Sequence, residues 1–285
     1  MRIQQIHEST NPQITKSTYQ RIHKPTTTHP PKMSRARIIP VLLLSKGGLY
    51  KTQKLQKPVY IGDPINSVKI FNEKQADELI LLDYTAGREK RSIDFAKIEE
   101  IAGEAFMPMA YGGAIKSFED AKKVFDCGFE KVVLNSVLFS DISLLQKIAS
   151  VYGAQAVVAS IDVKKNFLGK YKVYYLSGTE NSGKDPVEWA KELAQNGAGE
   201  IMLNCIEKDG TWQGYDEDLI QKVSAVVSIP VVACGGAGSF TDFEKAIQAG
   251  ASAVAAGSMF VFQKKGMGVL ISFPSQKLRI PGIAH

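Results

Sequence analysis

The chain has 285 residues, 44% of them hydrophobic and 22% charged, the composition of an ordinary soluble globule with room for one domain of roughly 250 residues. Its net charge of +6 would suit an anionic polymer, yet residues 1–36 hold Arg2, Lys16, Arg21, Lys24, Lys32 and Arg35 against Glu8 alone. The body is therefore nearly neutral, which removes the main support for nucleic-acid binding; residues 1–36 hold no apolar run long enough for a signal peptide or a membrane helix, and though basic and acid-poor like a transit presequence they lack its apolar face.

Residues 1–36 are rich in Thr, Pro, Gln and His and read as a disordered basic extension. The fold starts with an apolar run at 37–44, a buried strand, followed by a loop holding Lys46, Gly47, Gly48 and Lys51. A helix over 63–75 leads to a strand at 77–83 that finishes on Asp83, and a third strand at 106–110 runs into Gly112 and Gly113. Residues 131–135 are the fourth strand. Residues 156–162 open a second half and end on Asp162, with a polar, hairpin-like insert at 164–177. The sixth strand, 199–204, runs into Asp209 and Gly210. The seventh, 231–234, ends in Gly235 and Gly236, and 253–256 ends in Gly257 and Ser258. Between the last two lies a helix over 239–250 with a capping serine and a terminal glycine. Short buried strands alternating with amphipathic helices predict a parallel α/β barrel, a single (β/α)8 TIM barrel over 37–265, with an irregular tail at 266–285.

The chain repeats itself. The stretch from Tyr111 to Asp120 matches the one from Cys234 to Asp242, and Lys131 to Ser136 matches Ala253 to Ser258. Gly112 and Gly235 are offset by 123 residues and Ser136 and Ser258 by 122, too long for a solenoid unit and right for a half-barrel. Two similar halves predict two opposed phosphate sites on one rim, because glycine-ended strands present backbone N–H groups beside helix N-termini. Gly112, Gly113, Asn135 and Ser136 would form one, and Gly235, Gly236, Gly257 and Ser258 the other. Asn135, Ser136 and Ser258 read equally as helix caps, and Lys51 as a phosphate clamp or a solvated charge.

His7, His23, His29 and His285 all lie in the tails, so acid–base chemistry in the body needs Asp, Glu, Lys, Tyr or Cys, and a histidine metal site is not expected. Asp162, ending a buried strand at the active rim, is the candidate acid or base. Cys127, Cys205 and Cys234 form no CxxC spacing and read as buried thiols in a reducing cytoplasm. Trp189 and Trp212 read as packing residues.

From Arg37 to about Phe262 the chain resembles the cyclase subunit of imidazole glycerol phosphate synthase, the HisF barrel that works with a HisH-type glutaminase. Arg37-Ile38-Ile39, Gly62-Asp63-Pro64, Asp77-Glu78-Leu79, Ser160-Ile161-Asp162, Asp209-Gly210-Thr211 and Cys234-Gly235-Gly236-Ala237-Gly238 carry the resemblance. It implies a lyase of histidine biosynthesis, without cofactor, that accepts ammonia from the glutaminase for a phosphorylated small-molecule substrate. It also implies Asp162 and Lys51 as catalytic residues, with Ser177, Asp209 and Gly210 joining the substrate positions. In the family two strand-end aspartates act together, and here the strand-one position is Leu43. The resemblance further implies an ammonia gate of Arg37, Glu78, Lys131 and Glu200 at the opposite end of the barrel. With Leu43 and the unfamiliar tail, the chain looks like a divergent branch of polysaccharide loci, and a sugar-amidating synthetase in lipopolysaccharide biosynthesis becomes the further expected partner.

Overall fold

The computed structural model describes residues 36–274. The predicted extension, but for Ala36, and the tail beyond Pro274 lie outside the described residues.

The first half comprises β1 (Arg37–Ser45), β2 (Gly48–Gln53), β3 (Gln56–Gly62), α1 (Pro64–Glu73), β4 (Leu79–Asp83), α2 (Phe95–Ala102), β5 (Met109–Gly112), α3 (Phe118–Asp126), β6 (Lys131–Leu134) and α4 (Ser143–Tyr152). The second half comprises β7 (Val157–Lys165), β8 (Tyr171–Tyr175), β9 (Glu180–Asn181), α5 (Pro186–Gln195), β10 (Glu200–Cys205), α6 (Glu217–Ser224), β11 (Val231–Cys234), α7 (Phe240–Gln248), β12 (Ala253–Ala256) and α8 (Ser258–Val261). Eight strands pair in parallel in the order β1, β4, β5, β6, β7, β10, β11, β12, and β12 pairs back to β1 with Arg37 opposite Ala253. The closed (β/α)8 barrel expected from the alternation is therefore present.

The halves match in detail. Asp63 caps α1 through the Asn66 N–H at 2.9 Å with Pro64 behind it, and Asp185 caps α5 through the Val187 N–H at 2.8 Å with Pro186 behind it. Ser117 and Ser239 start α3 and α7, the latter in a capping box with Asp242. Each half also carries a hairpin off its first strand, β2 and β3 on β1, and β8 and β9 on β7.

Two apolar layers follow from strands buried on both faces. Outward residues such as Leu42, Leu79 and Ile201 pack against the helices. Inward residues Ile39, Val41, Leu43, Ile80, Ala110, Val133, Val158, Met202 and Val232 fill the barrel axis.

The structure corrects three expectations. The segment holding Lys51 is a strand rather than a loop, β2, antiparallel to β1 with Leu43 opposite Tyr50. The strand expected from 106 begins at Met109, because Pro108 has no N–H for the ladder, and Phe106 is 93% exposed. Of the three cysteines only Cys205 is fully buried. Trp189 is buried and stacks on Phe139 with centroids 5.1 Å apart, the packing role expected. The eighth helix is one turn long. After it the chain doubles back, Phe262 bridging to Val269, and Phe273 packs against Phe71 of α1 and Phe260 of α8.

Candidate active site

A cavity of about 460 Å³ opens at the C-terminal ends of the strands. It gathers every catalytic and substrate position expected from the sequence: Asp162 and Lys51, then Gly112, Gly113, Asn135, Ser136 and Ser177, then Asp209, Gly210, Gly235, Gly236, Gly257 and Ser258. These positions run from residue 51 to residue 258, and the closed barrel brings them together.

Asp162 sits where β7 leaves the barrel. Its Oδ1 accepts from Asn204 Nδ2 at 2.8 Å and its Oδ2 from Asn135 Nδ2 at 3.0 Å. Asn135 makes no helix-capping bond, so its amide serves Asp162 instead. The carboxyl reaches solvent only through the cavity, and protein surrounds it. Burial pushes its pKa up to about 6, and nearby Asp209 adds to the rise, while the two amide donors oppose it. A carboxyl titrating near neutrality can both give and take a proton.

This shift makes the fold more stable in acid. The folded pKa lies above the ordinary carboxylate value, so the extra stability is complete below about pH 4 and is lost as pH rises through about 6. On the order of 2–3 kcal/mol should disappear between pH 4 and pH 8 at this residue. Denaturant melts at the two pH values should show this loss in the native chain and a smaller one in Asp162→Asn.

Lys51 reaches in from β2 and its Nζ lies 2.8 Å from Asp209 Oδ1, both groups buried. Thr52 Oγ1 lies 3.4 Å from the other oxygen, and the Lys54 N–H donates to the Asp209 carbonyl at 3.0 Å. The expected clamp is thus an ion pair that ties the first hairpin to the loop after β10. Leu43 is 5% exposed and faces the cavity one strand from Leu82, so the cavity floor there is apolar. Cys234 also lines the site, but burial and Asp209 push its thiol up to about 12, which keeps it protonated.

The rim is pinned on the other side as well. Ser136 Oγ accepts from the Leu176 N–H at 3.1 Å, and Ser177 Oγ donates to the Tyr84 carbonyl. Asp83 accepts from both terminal guanidinium nitrogens of Arg91 at 2.9 and 3.0 Å, anchoring the loop after β4. Gly113 and Gly236 are left-handed at φ +125° and +123°. A Cβ at Gly236 would meet the Gly214 carbonyl oxygen at 2.2 Å, so Gly236→Ala should cost about 1–3 kcal/mol in a denaturant melt. Gly169→Ala, at a hairpin turn with open space around it, should cost less.

The opposite end of the barrel is closed by charge. Arg37 hydrogen-bonds both Glu78 and Glu200, and Lys131 Nζ lies 2.8 and 3.0 Å from the Glu78 oxygens and 3.1 Å from Glu200 Oε2. The four alternate around a neutral ring, with Glu78 and Glu200 almost fully buried. Burial alone would lower the Arg37 pKa, but Glu200 and Glu78 outweigh it and hold it raised. Sequence reading missed Asn204, which offers no motif.

A barrel of two matched halves, with a buried, amide-bonded carboxyl at one end of an apolar axis and a charged ring at the other, defines a class of two-fold (β/α)8 proteins. Within that class the chain belongs to the histidine biosynthesis protein family, whose model matches residues 37–265, and to its HisF-like members. It is 49% identical over 246 residues to a Pseudomonas aeruginosa protein provisionally named imidazole glycerol phosphate synthase subunit hisF2, covering 85% of this chain and 97% of that one. A Leptospira interrogans protein, provisionally named as a HisF subunit of the same synthase, is 42% identical over 247 residues, 86% and 97% of the two chains. The imidazole glycerol phosphate synthase subunit HisF of Alkaliphilus metalliredigens is 39% identical over 233 residues, 81% and 92%.

Proposed function

We propose that this chain is the synthase-side subunit of a glutamine-dependent amidotransferase, a lyase-type barrel that takes ammonia from a HisH-type glutaminase. The observation that carries the reading is the closed ring of Arg37, Glu78, Lys131 and Glu200 beneath an apolar axis that leads to Asp162. Neutral ammonia passes an apolar interior far more cheaply than an ion does. In this reading the glutaminase docks on the ring end and the ring opens for ammonia. A phosphorylated substrate spans the rim from Gly112, Gly113, Asn135, Ser136 and Ser177 to Gly210, Gly235, Gly236, Gly257 and Ser258. Asp162 exchanges the proton, and the Lys51–Asp209 pair moves onto the substrate. No cofactor or metal is required, and the work is cytoplasmic; among the described residues no helix is long and apolar enough to cross a membrane.

Leu43 favours a second reading. With no acid on its first strand, the barrel acts as an ammonia conduit and activator for a separate sugar-amidating synthetase of lipopolysaccharide biosynthesis. The greater identity to provisionally named subunits, 42–49%, than to HisF subunits, 36–40%, supports such a branch.

Mixing the chain with a HisH-type glutaminase tests what both readings share. A stable complex and faster glutamine hydrolysis are expected. Absence of a complex overturns both, and sulfate binding at neither glycine rim would remove the phosphorylated substrate.

A further inference from the structure

Asp162 stands between two strands that each lend it an amide. On one side β6 ends just before Asn135, and on the other β10 carries Asn204 directly opposite Asp162 in the parallel register. Asn204 Nδ2 donates to one carboxylate oxygen at 2.8 Å and Asn135 Nδ2 to the other at 3.0 Å. The other end of each amide is unsatisfied. Among the described residues, Asn135 Oδ1 and Asn204 Oδ1 are the buried side-chain polar atoms without a hydrogen-bond partner. An oxygen so placed forgoes the bond it would accept from water, which is unfavourable.

This arrangement suits one state of the acid. An ionised carboxyl only accepts, so two N–H donors complete it. A protonated carboxyl has an O–H to give, and an amide nitrogen cannot accept it. The acceptor it needs is one torsion away, because half a turn about the Cβ–Cγ bond of an asparagine exchanges Oδ1 with Nδ2 and leaves the rest of the residue in place. Asn204 is the better placed of the two amides. It is 8% exposed and held within β10, whereas Asn135 is partly exposed at the rim. A Cβ at residue 235 would lie 2.7 Å from Asn204 Oδ1, so the glycine there gives the amide room to turn. The other charged and titratable groups that face Asp162 offer its proton no alternative seat. Asp209, from the loop after β10, is bonded to Lys51 of β2 at 2.8 Å, and the Cys234 thiol of β11 keeps its own proton.

We propose that Asn204 is a positioning residue whose amide turns over with the protonation of Asp162, donating through Nδ2 to the carboxylate and accepting through Oδ1 from the carboxyl O–H. Asn135 donates to the second oxygen in both states. Turned, the buried Asn204 oxygen gains the bond it lacks. Such a switch rests on the reading that Asp162 exchanges a proton, and it lets the carboxyl act as acid and as base from one position. Burial already holds its midpoint near 6, where both states are populated.

The test uses the full chain alone, without glutaminase or substrate, with asparagine and glycine protonated in an otherwise deuterated protein. The nuclear Overhauser contact between the Asn204 side-chain NH2 and the Gly235 Hα protons is followed from pH 8 to pH 5, and the Asp162 carboxyl is followed in parallel by ¹³C NMR. At pH 8 the Asn204 oxygen faces Gly235 and the contact is weak. In acid the NH2 takes that place, so the contact should grow several-fold with the midpoint of the carboxyl, about 6. In Asp162→Ala it should not change with pH. A carboxyl that titrates while the contact stays constant has its proton directed into the cavity, which overturns the switch and leaves the proton-exchange reading standing. A pH-dependent contact that persists in Asp162→Ala also overturns the switch. A carboxyl still ionised at pH 5 overturns the switch and that reading together.

Discussion

Given ammonium salt and the two-phosphate ribulosyl precursor of imidazole glycerol phosphate, the purified chain should form product about 10²–10⁴-fold more slowly than a HisF subunit with acids on both catalytic strands. The reason is local. Leu43 occupies the strand-one position, is buried, and faces the same cavity as Asp162 without a group that can carry a proton. Lys51 does not replace the missing acid while its amine is held 2.8 Å from Asp209. Asp162 alone can serve one proton transfer near its raised pKa and not two at once. Leu43→Asp should restore part of the rate only, since a new carboxylate beside Leu82 and Val41 has no donor waiting for it. Product appearance under saturating ammonium decides the matter. Turnover equal to that of a two-acid subunit would discard the conduit reading and restore full cyclase function.

Lys131→Met should destabilise the chain by about 3 kcal/mol, while Lys131→Arg stays close to the native value. The Lys131 ammonium contacts Glu78 and Glu200 together, and both carboxylates are almost fully buried. Without it, Arg37 alone must neutralise two acids, which leaves a net buried negative charge. The Lys131 side chain keeps some solvent access, so the effect belongs at the lower end of the 3–5 kcal/mol seen when one partner of a buried pair is removed. Urea titration at pH 7.5 measures it. A loss below about 1 kcal/mol would mean that water already screens the ring and that it is no barrier to ions.

The barrel was legible because its signals are local and written twice. Gly113 and Gly236 must be glycine for φ and for space, and Asp63-Pro64 and Asp185-Pro186 start helices by their own chemistry. The missed elements depend on distant partners. The β2–β3 turn places Lys54 and Leu55 at φ +56° and +57°, where sequence habit expects Asn-Gly, so nothing marked it as a hairpin. The Lys51–Asp209 bond joins residues 158 apart. Asn204 looks like the polar end of a strand until β7 is laid beside β10 and its amide meets Asp162. Ring chemistry came from resemblance, since strand-start charges otherwise read as ordinary solvated ends.

The doubled-back segment after α8 sets the order in which the molecule can assemble. Pairing β1 with β12 joins Arg37 to Ala253 across almost the whole fold, and the entropy of closing so long a loop falls on that one seam. Either half can gather its strands through neighbours close in sequence, whereas the seam has to wait for both. Phe273, wedged between Phe71 and Phe260, fastens the last unit to the first where a full helix would otherwise bridge them. The C-terminal strap is thus the clasp of a ring, and unfolding should start at the seam it fastens. Amides of β1 and β12 should lose hydrogen-exchange protection together once the strap is cut, ahead of the paired strands within either half.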